Sequence, residues 1–408
     1  MLYERQVAKE IKKYLTTEDI VVLHGARQVG KTHLLYYFKE LLEKEDKQVF
    51  YIDLEDSRYV AILDLGVESF LNLLAEEGFL DKNGDKKNSK KKIYVFIDEI
   101  QYLKHPSSFL KLVSDHHKDI KLIVSGSSSF EIKNKFSDSL VGRTVNFEIF
   151  SLSFEEFLLF KGYPFSKDQV FTQRKIDELK KLFKEYILFG GYPKIVLTRE
   201  KEKKEKYLQQ IVDTYVRKDI RDLAEIKDIE KFNKLLEVLA SQSGNLLNVS
   251  ELSNTCRIAK PTVERYLFIM ENTYIIKLVH PYSGNIRSEL FKVPKIFFYD
   301  TGLMQMLWLK NLQKEIIGNV FETGIFSELV KKYDKDTILY WRTKDKKEID
   351  FIVRKNNSLL PIEAKINFNK FNPSAIKYFQ EKYSVDTYYV TALEGDLLHK
   401  EYLYPWSL

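Results

Sequence analysis

His24-Gly25-Ala26-Arg27-Gln28-Val29-Gly30-Lys31-Thr32 contains a complete Gly-x4-Gly-Lys-Thr, and its surroundings decide the fold. The apolar run Ile20–Leu23 precedes it, and Thr32–Lys44 follows with helical periodicity. A Gly-rich turn between a strand and a helix is the context in which this motif cradles phosphate. The glycines let the backbone bend around the anion, and free N–H groups at the helix start point toward it. Gly25, Ala26, Arg27, Gln28, Val29 and Gly30 thus form the expected phosphate loop. Lys31 would supply a point charge to the β- and γ-phosphates, and the Thr32 hydroxyl would ligate magnesium.

Outward from this loop, Val49–Leu54, Ile93–Ile97, Lys121–Val124 and Val145–Phe150 read as further strands. Strands alternating with helical stretches predict an α/β core with a parallel sheet over residues 1–150. Ile93–Ile97 is almost wholly apolar, as a strand covered on both faces requires. It delivers Asp98 and Glu99 at its C-terminal end, where open α/β sheets place their ligands. Asp98 would hold the magnesium of a nucleotide such as ATP through water. Glu99 would orient or deprotonate the attacking water. The basic break Asp81–Lys92 reads as a solvated loop, with nucleic-acid contact as the alternative.

Composition narrows the remaining possibilities. The chain has 408 residues, 44% hydrophobic and 14% aromatic, too rich in core formers for a disordered protein. Its net charge of +6 permits nucleic acid as a partner without requiring it. The single cysteine, Cys256, excludes an internal disulfide framework and argues against a cysteine-based metal site. No apolar run reaches the roughly 18 residues of a membrane span. A cytoplasmic protein without a membrane partner is expected.

From Leu152 to about Ala224 the pattern is helical, interrupted at Gly162-Tyr163-Pro164 and Gly190-Gly191-Tyr192-Pro193. Helices then follow at Lys231–Ser241, Val249–Cys256 and Pro261–Asn272, with strand-like runs at Tyr274–Val279 and Phe291–Tyr299. Three helices and a hairpin are the order of a winged helix. If it reads DNA, the third helix enters the major groove. Arg257, Lys260 and Arg265 would then contact the duplex, with Arg287 on the wing touching phosphate. A protein-contacting surface is the alternative.

Near the C-terminus, Glu348-Ile349-Asp350-Phe351 precedes Pro361-Ile362-Glu363-Ala364-Lys365. An acidic residue followed by Glu-x-Lys on the next strand is the pattern of the restriction-endonuclease-like fold. Strand alternation turns Glu363 and Lys365 the same way, and an adjacent strand would bring Asp350 beside them. Asp350, Glu363 and the helix carboxylate Glu322 would hold magnesium, with Lys365 positioning or activating a water. Arg342 would contact phosphate. Charged outer faces of two surface strands, or a nuclease-like fold that no longer cuts, remain alternative readings.

Asp98-Glu99 has the form found in AAA+ ATPases. The whole chain resembles the prokaryotic AAA+ proteins that join an AAA domain to a DUF4143-type C-terminal region. The resemblance rests on Gly25–Thr32, Asp98-Glu99-Ile100-Gln101, Ser151-Leu152-Ser153-Phe154-Glu155-Glu156-Phe157, Gly190-Gly191-Tyr192-Pro193, Tyr299-Asp300-Thr301-Gly302-Leu303 and Tyr340-Trp341-Arg342. It implies a polar sensor at Ser125 and an arginine finger at Arg143. It also implies a homo-oligomer with the ATP site at a subunit interface. A salt bridge to an acidic neighbour is the other reading of Arg143. A further sensor is expected in a helical lid, with Arg217 and Arg221 as candidates. The implied organisation is an AAA+ core at 1–150, a lid at 151–225, a winged helix at 226–300 and a restriction-endonuclease-like α/β domain at 301–408. Taken together, these residues are read as Mg-dependent ATP hydrolysis coupled to DNA binding or cleavage. The rivals are an ATP-driven switch or scaffold that binds a protein partner with a tail that does not cut, and an ATP-dependent remodeller with a degenerate tail.

Overall fold

A computed structural model describes residues 3–80, 92–126, 140–166, 171–214, 226, 228–284, 293–355 and 358–408. Arg217, Arg221, Arg287 and most of the basic break lie outside them. The chain divides into two compact units, Met1–Phe150 and Ser151–Leu408.

The first unit is built on five parallel strands: β1 (Ile20–His24), β2 (Gln48–Asp53), β3 (Ile93–Asp98), β4 (Ile120–Gly126) and β5 (Thr144–Glu148), in spatial order β2-β3-β4-β1-β5. Every residue of β3 and β4 is buried, which explains their continuous apolar character. Ile52, Phe70, Val95, Ile97, Phe109, Leu110 and Val124 belong to one large core of this unit. A polar exception sits inside β4. Lys121 is 1% exposed, and its ammonium donates to the carbonyls of Thr17 (3.1 Å) and Asp19.

The second unit begins with helices at Phe154–Phe160, Gln173–Phe189, Pro193–Leu197 and Lys201–Ile211. Ser153 starts the first with a reciprocal cap to Glu156. Helices Ile229–Ser241, Val249–Cys256 and Lys260–Asn272 lead into an antiparallel pair, β6 (Ile276–Val279) and β7 (Lys295–Phe298). The buried helix Thr301–Leu309 packs against Gln173–Phe189 and Ile229–Ser241. Its cap, Asp300, accepts from Gly191 N (2.8 Å) and Leu303 N (3.0 Å). A Cβ on Gly302 would lie 2.2 Å from Phe189 O. Two of the motifs that carry the family resemblance therefore meet as one packing joint.

A mixed sheet closes the second unit. Strands β8 (Ile338–Arg342), β9 (Glu348–Lys355), β10 (Ser358–Asn367), β11 (Tyr389–Glu394) and β12 (Tyr402–Leu403) lie in the order β12-β11-β10-β9-β8. β8, β9 and β10 are antiparallel, and β10, β11 and β12 parallel. Helix Gly318–Lys332 packs against β10. Leu339, Trp341, Ile349 and Ile352 form a core with Ile376 and Phe379 of helix Ser374–Tyr383. Among the described residues no helix is long and apolar enough to cross a membrane.

Candidate functional site

The phosphate loop leaves the C-terminal end of β1 and enters helix Lys31–Lys44 through Gly30, whose φ of 101° lies in the left-handed region. Gly25 has no room for a side chain, since a Cβ there would stand 2.1 Å from Ile149 O. Arg5, only 7% exposed, anchors the loop from outside the motif. Its guanidinium donates to Val29 O (2.9 Å) and Phe150 O (3.0 Å).

Lys31 is 5% exposed, and its ammonium donates to Gly25 O (3.0 Å) and Ala26 O (2.8 Å) of its own loop. Burial pushes it down to about 8, the Arg27 charge adding to the effect while Glu99 and Asp98 oppose it. Among the described residues the hydrogen-bond partners of this buried ammonium are carbonyls, and such a group is well suited to an incoming anion. Thr32 follows, half-buried, in the first turn.

Asp98 ends β3 and is 3% exposed. It accepts from Tyr51 Oη of β2 (3.0 Å) and from Ser125 Oγ of β4. Burial and the Asp98 charge raise the Tyr51 phenol far above its ordinary value, so Tyr51 stays a donor. Tyr36 stacks on Tyr51 with centroids 4.8 Å apart. Glu99 adopts the left-handed conformation at φ 55°, which turns it off the strand. Its N–H faces Ser125 Oγ (3.3 Å), and its carboxylate accepts from Gln101 Nε2. Asp98, Glu99 and Ser125 are thus gathered at one end of the sheet. Hard oxygen donors beside an anion cradle fit a magnesium–nucleotide complex, with Thr32 and Asp98 as the residues that would hold the metal.

Arg143 makes a two-point ion pair with Asp115, Nε–Oδ1 2.7 Å and Nη2–Oδ2 3.1 Å. To act as a finger it would have to leave that partner.

In the second unit a network of ion pairs assembles around β9 and β10. Asp350 and Glu363 lie one step past the Ile362–Phe351 pair of this antiparallel ladder. Lys365 spans them, 2.7 Å from Asp350 Oδ2 and 2.6 Å from Glu363 Oε2. Asp350 also accepts from Ala364 N (2.9 Å). Lys295 of β7 is 3% exposed and bridges Glu322 Oε1 (3.0 Å) and Glu348 Oε1 (2.7 Å). Arg342 reaches the other oxygen of Glu348 at 3.1 Å.

Burial and the neighbouring Asp350 charge push Glu363 up to about 9 and Glu322 up to about 7. Burial alone would raise Asp350 too, but the Lys365 and Lys295 charges hold it below its ordinary value. Both lysines are raised by their carboxylates despite burial.

Glu322, Asp350, Glu363 and Lys365 are thus brought into one network. The donor chemistry suits a hard cation; the placement does not. Asp350 and Glu363 are taken by Lys365, and Glu322 is taken by Lys295. Among the described residues no three carboxylate, His or Cys side chains are gathered to hold a metal ion.

Arg257, Lys260 and Arg265 are exposed on the three-helix segment. Arg257 caps helix Val249–Cys256 at φ 55°, and Lys260 opens helix Lys260–Asn272.

Sequence reasoning missed Arg5, Tyr51, Gln101, Lys295 and Glu348. One signal was available for Lys295. It stands alone within Val293-Pro294-Lys295-Ile296-Phe297-Phe298, and a charge inside a buried strand demands a partner.

Comparison with known proteins locates three domains. Residues 17–158 match the model of an AAA domain, and residues 317–402 match DUF4143, a domain of unknown function. Residues 180–315 match a second domain of unknown function, DUF8612. An uncharacterized protein of Haemophilus influenzae is 27% identical over a 424-residue alignment that covers 100% of this chain and 99% of that one. An uncharacterized protein of Methanocaldococcus jannaschii, MJ1544, is 25% identical over 88% of this chain and 78% of its own. Among solved structures, the Walker-type ATPase PABY2304 of Pyrococcus abyssi is similar over 75% of this chain and 96% of its own, at 14% identity and a TM-score of 0.48.

Proposed function

We propose, for a chain that is an AAA-type P-loop ATPase joined to a DUF4143 domain, that Mg-dependent ATP hydrolysis controls a DNA-directed C-terminal unit. The observation that carries this reading is the convergence at one sheet end of the Lys31 loop with Asp98, Glu99 and Ser125. Lys31 would grip the β- and γ-phosphates, and Thr32 and Asp98 would hold the metal. Glu99 would leave Gln101 to orient the attacking water. Ser125 would fix the Asp98 carboxylate. The winged-helix reading of 226–300, with Arg257, Lys260 and Arg265 exposed, supports DNA as the partner. Arg143 would complete a neighbouring subunit's site in a homo-oligomer.

A second reading is favoured by one specific observation. Lys365 and Lys295 fill the carboxylate network of the tail, as suits a unit that grips a partner without cutting it.

Both readings face the same experiment. Linear, circular and single-stranded DNA are incubated with the protein and magnesium, with and without ATP, while ATP turnover is followed. Lys31→Ala and Asp350→Ala serve as controls. Turnover lost in Lys31→Ala and altered by DNA supports the coupled ATPase. Cleavage lost in Asp350→Ala assigns cutting to the tail. Turnover and DNA binding that ignore each other would sink the coupling.

A further inference from the structure

A carboxylate has about four acceptor positions, shared by its two oxygens. Those of Asp98 are mostly filled within the first unit. Oδ1 accepts from Ser125 Oγ and from the Glu99 N–H (3.1 Å). Oδ2 accepts from Tyr51 Oη (3.0 Å). Tyr51 stands on β2 and Ser125 on β4, the two strands that flank β3. The carboxylate is therefore clamped from both sides of its own strand. A carboxylate gripped at one oxygen can still swing the other; gripped at both it cannot. Among the described residues, the acceptor position left open lies on Oδ2, beside Tyr51.

Tyr51 is itself held. The Tyr36 ring stacks on it, with centroids 4.8 Å apart and planes at 27°. Tyr36 lies one helical turn beyond Thr32 in helix Lys31–Lys44, so the two share a helix face. Two stacked rings thus run from the helix that carries Thr32 to the carboxylate of Asp98. These are the two side chains that would hold magnesium.

We propose that Tyr51 is a positioning residue of the nucleotide site: its hydroxyl pins Asp98 Oδ2 so that the single open acceptor position is presented to a magnesium-bound water. The proposal rests on the reading of this site as a magnesium–nucleotide site. A phenol suits the role because it donates a hydrogen bond and brings no charge. Asp98 keeps the negative charge that attracts a cation, whereas Asp350 of the tail is neutralised by the ammonium of Lys365. The aromatic stack adds rigidity, since a ring held by a second ring has little freedom to tilt its hydroxyl away.

The test is calorimetric binding of the non-hydrolysable analogue β,γ-methylene-ATP to the full chain, once in EDTA and once in saturating magnesium. Wild type should bind more tightly with magnesium. In Tyr51→Phe the affinity in EDTA should stay at the wild-type value. The affinity with magnesium should fall roughly 10- to 100-fold, the usual loss when a partner of a metal-holding carboxylate is removed. Equal weakening in both conditions would show a merely structural role and overturn the proposal. Wild-type affinity in both conditions would overturn it too. If wild type binds the analogue equally in EDTA and magnesium, the magnesium reading itself fails and takes the proposal with it.

Should Tyr51→Phe fail to fold by circular dichroism, Tyr36→Ala carries the test, because the Tyr36 ring is exposed. A loss of about threefold, confined to magnesium, is expected from removing one ring of a stacked pair. Unchanged affinity with magnesium, or an equal loss in EDTA, would overturn the proposal.

Discussion

Lys31 and Lys365 are both lysines at the working ends of sheets, yet they live in opposite electrostatic settings. Lys31 is held by two carbonyl oxygens and is pushed down to about 8 by burial. Lys365 lies between two carboxylates and is raised. On the reading proposed above, the first is a charge whose strong partner is an anion that arrives from outside. The second has its partners built in. The proposed nucleotide site is then suited to an arriving ligand, while the tail is balanced internally. Lys295, with Glu322 and Glu348, repeats the second pattern.

The comparison is broken most directly at the catalytic step. Glu99→Gln keeps the side chain's shape and removes its basicity. ATP binding should persist, because the phosphate cradle is untouched. Turnover should fall by ~10²–10⁴, the usual contribution of a positioned base. Single-turnover hydrolysis of labelled ATP measures it. Near-normal turnover would show that the first site does not use its carboxylate pair as described.

Stability should separate the two lysines next. Lys365→Met strands Asp350 and Glu363, which are 8% and 4% exposed. Breaking a buried pair in this way costs about 3 kcal/mol or more. Lys31→Met removes a charge that burial already disfavours and whose hydrogen-bond partners among the described residues are carbonyls, so its effect should be smaller, about 1 kcal/mol. Urea unfolding distinguishes them. All three tryptophans, Trp308, Trp341 and Trp406, lie in the second unit, so their fluorescence reports Lys365→Met, and circular dichroism covers Lys31→Met. Equal losses would erase the contrast.

How much of each site was legible in the sequence follows from the distance over which it is assembled. The loop from Gly25 to Thr32 is contiguous, and its strand–turn–helix setting is written in adjacent residues. Asp98 and Glu99 follow a strand buried at every position, which an unbroken apolar run already implies. The alternation that turns Glu363 and Lys365 together is equally local. Tyr51 is different. It reaches Asp98 because β2 lies beside β3 in register, Asp53 opposite Asp98, and nothing local in either strand announces that pairing. Arg5 meets the loop only after the chain has folded back on itself. Lys295 needed the placement of a hairpin against a sheet that begins more than 40 residues later. Side chains that meet through tertiary docking leave only indirect traces, such as the lone lysines within the apolar runs of β4 and β7.

The finest test of the contrast is a proton count. Lys31 sits near 8 without a ligand, and a bound triphosphate stabilises its charged form, raising it. Between pH 8 and about 10 the empty site therefore holds fewer protons than the occupied one. ATP binding must take up protons across that window, and affinity must fall as pH rises through it, by at most about tenfold per unit. Below pH 7 Lys31 is charged in both states, and this contribution vanishes. Calorimetry at pH 8.5 in two buffers of different ionisation enthalpy gives the uptake directly. Lys31→Arg stays charged throughout and should show none from this position. Uptake that persists in Lys31→Arg would move the titration to another group and leave the two lysines less different than their surroundings imply.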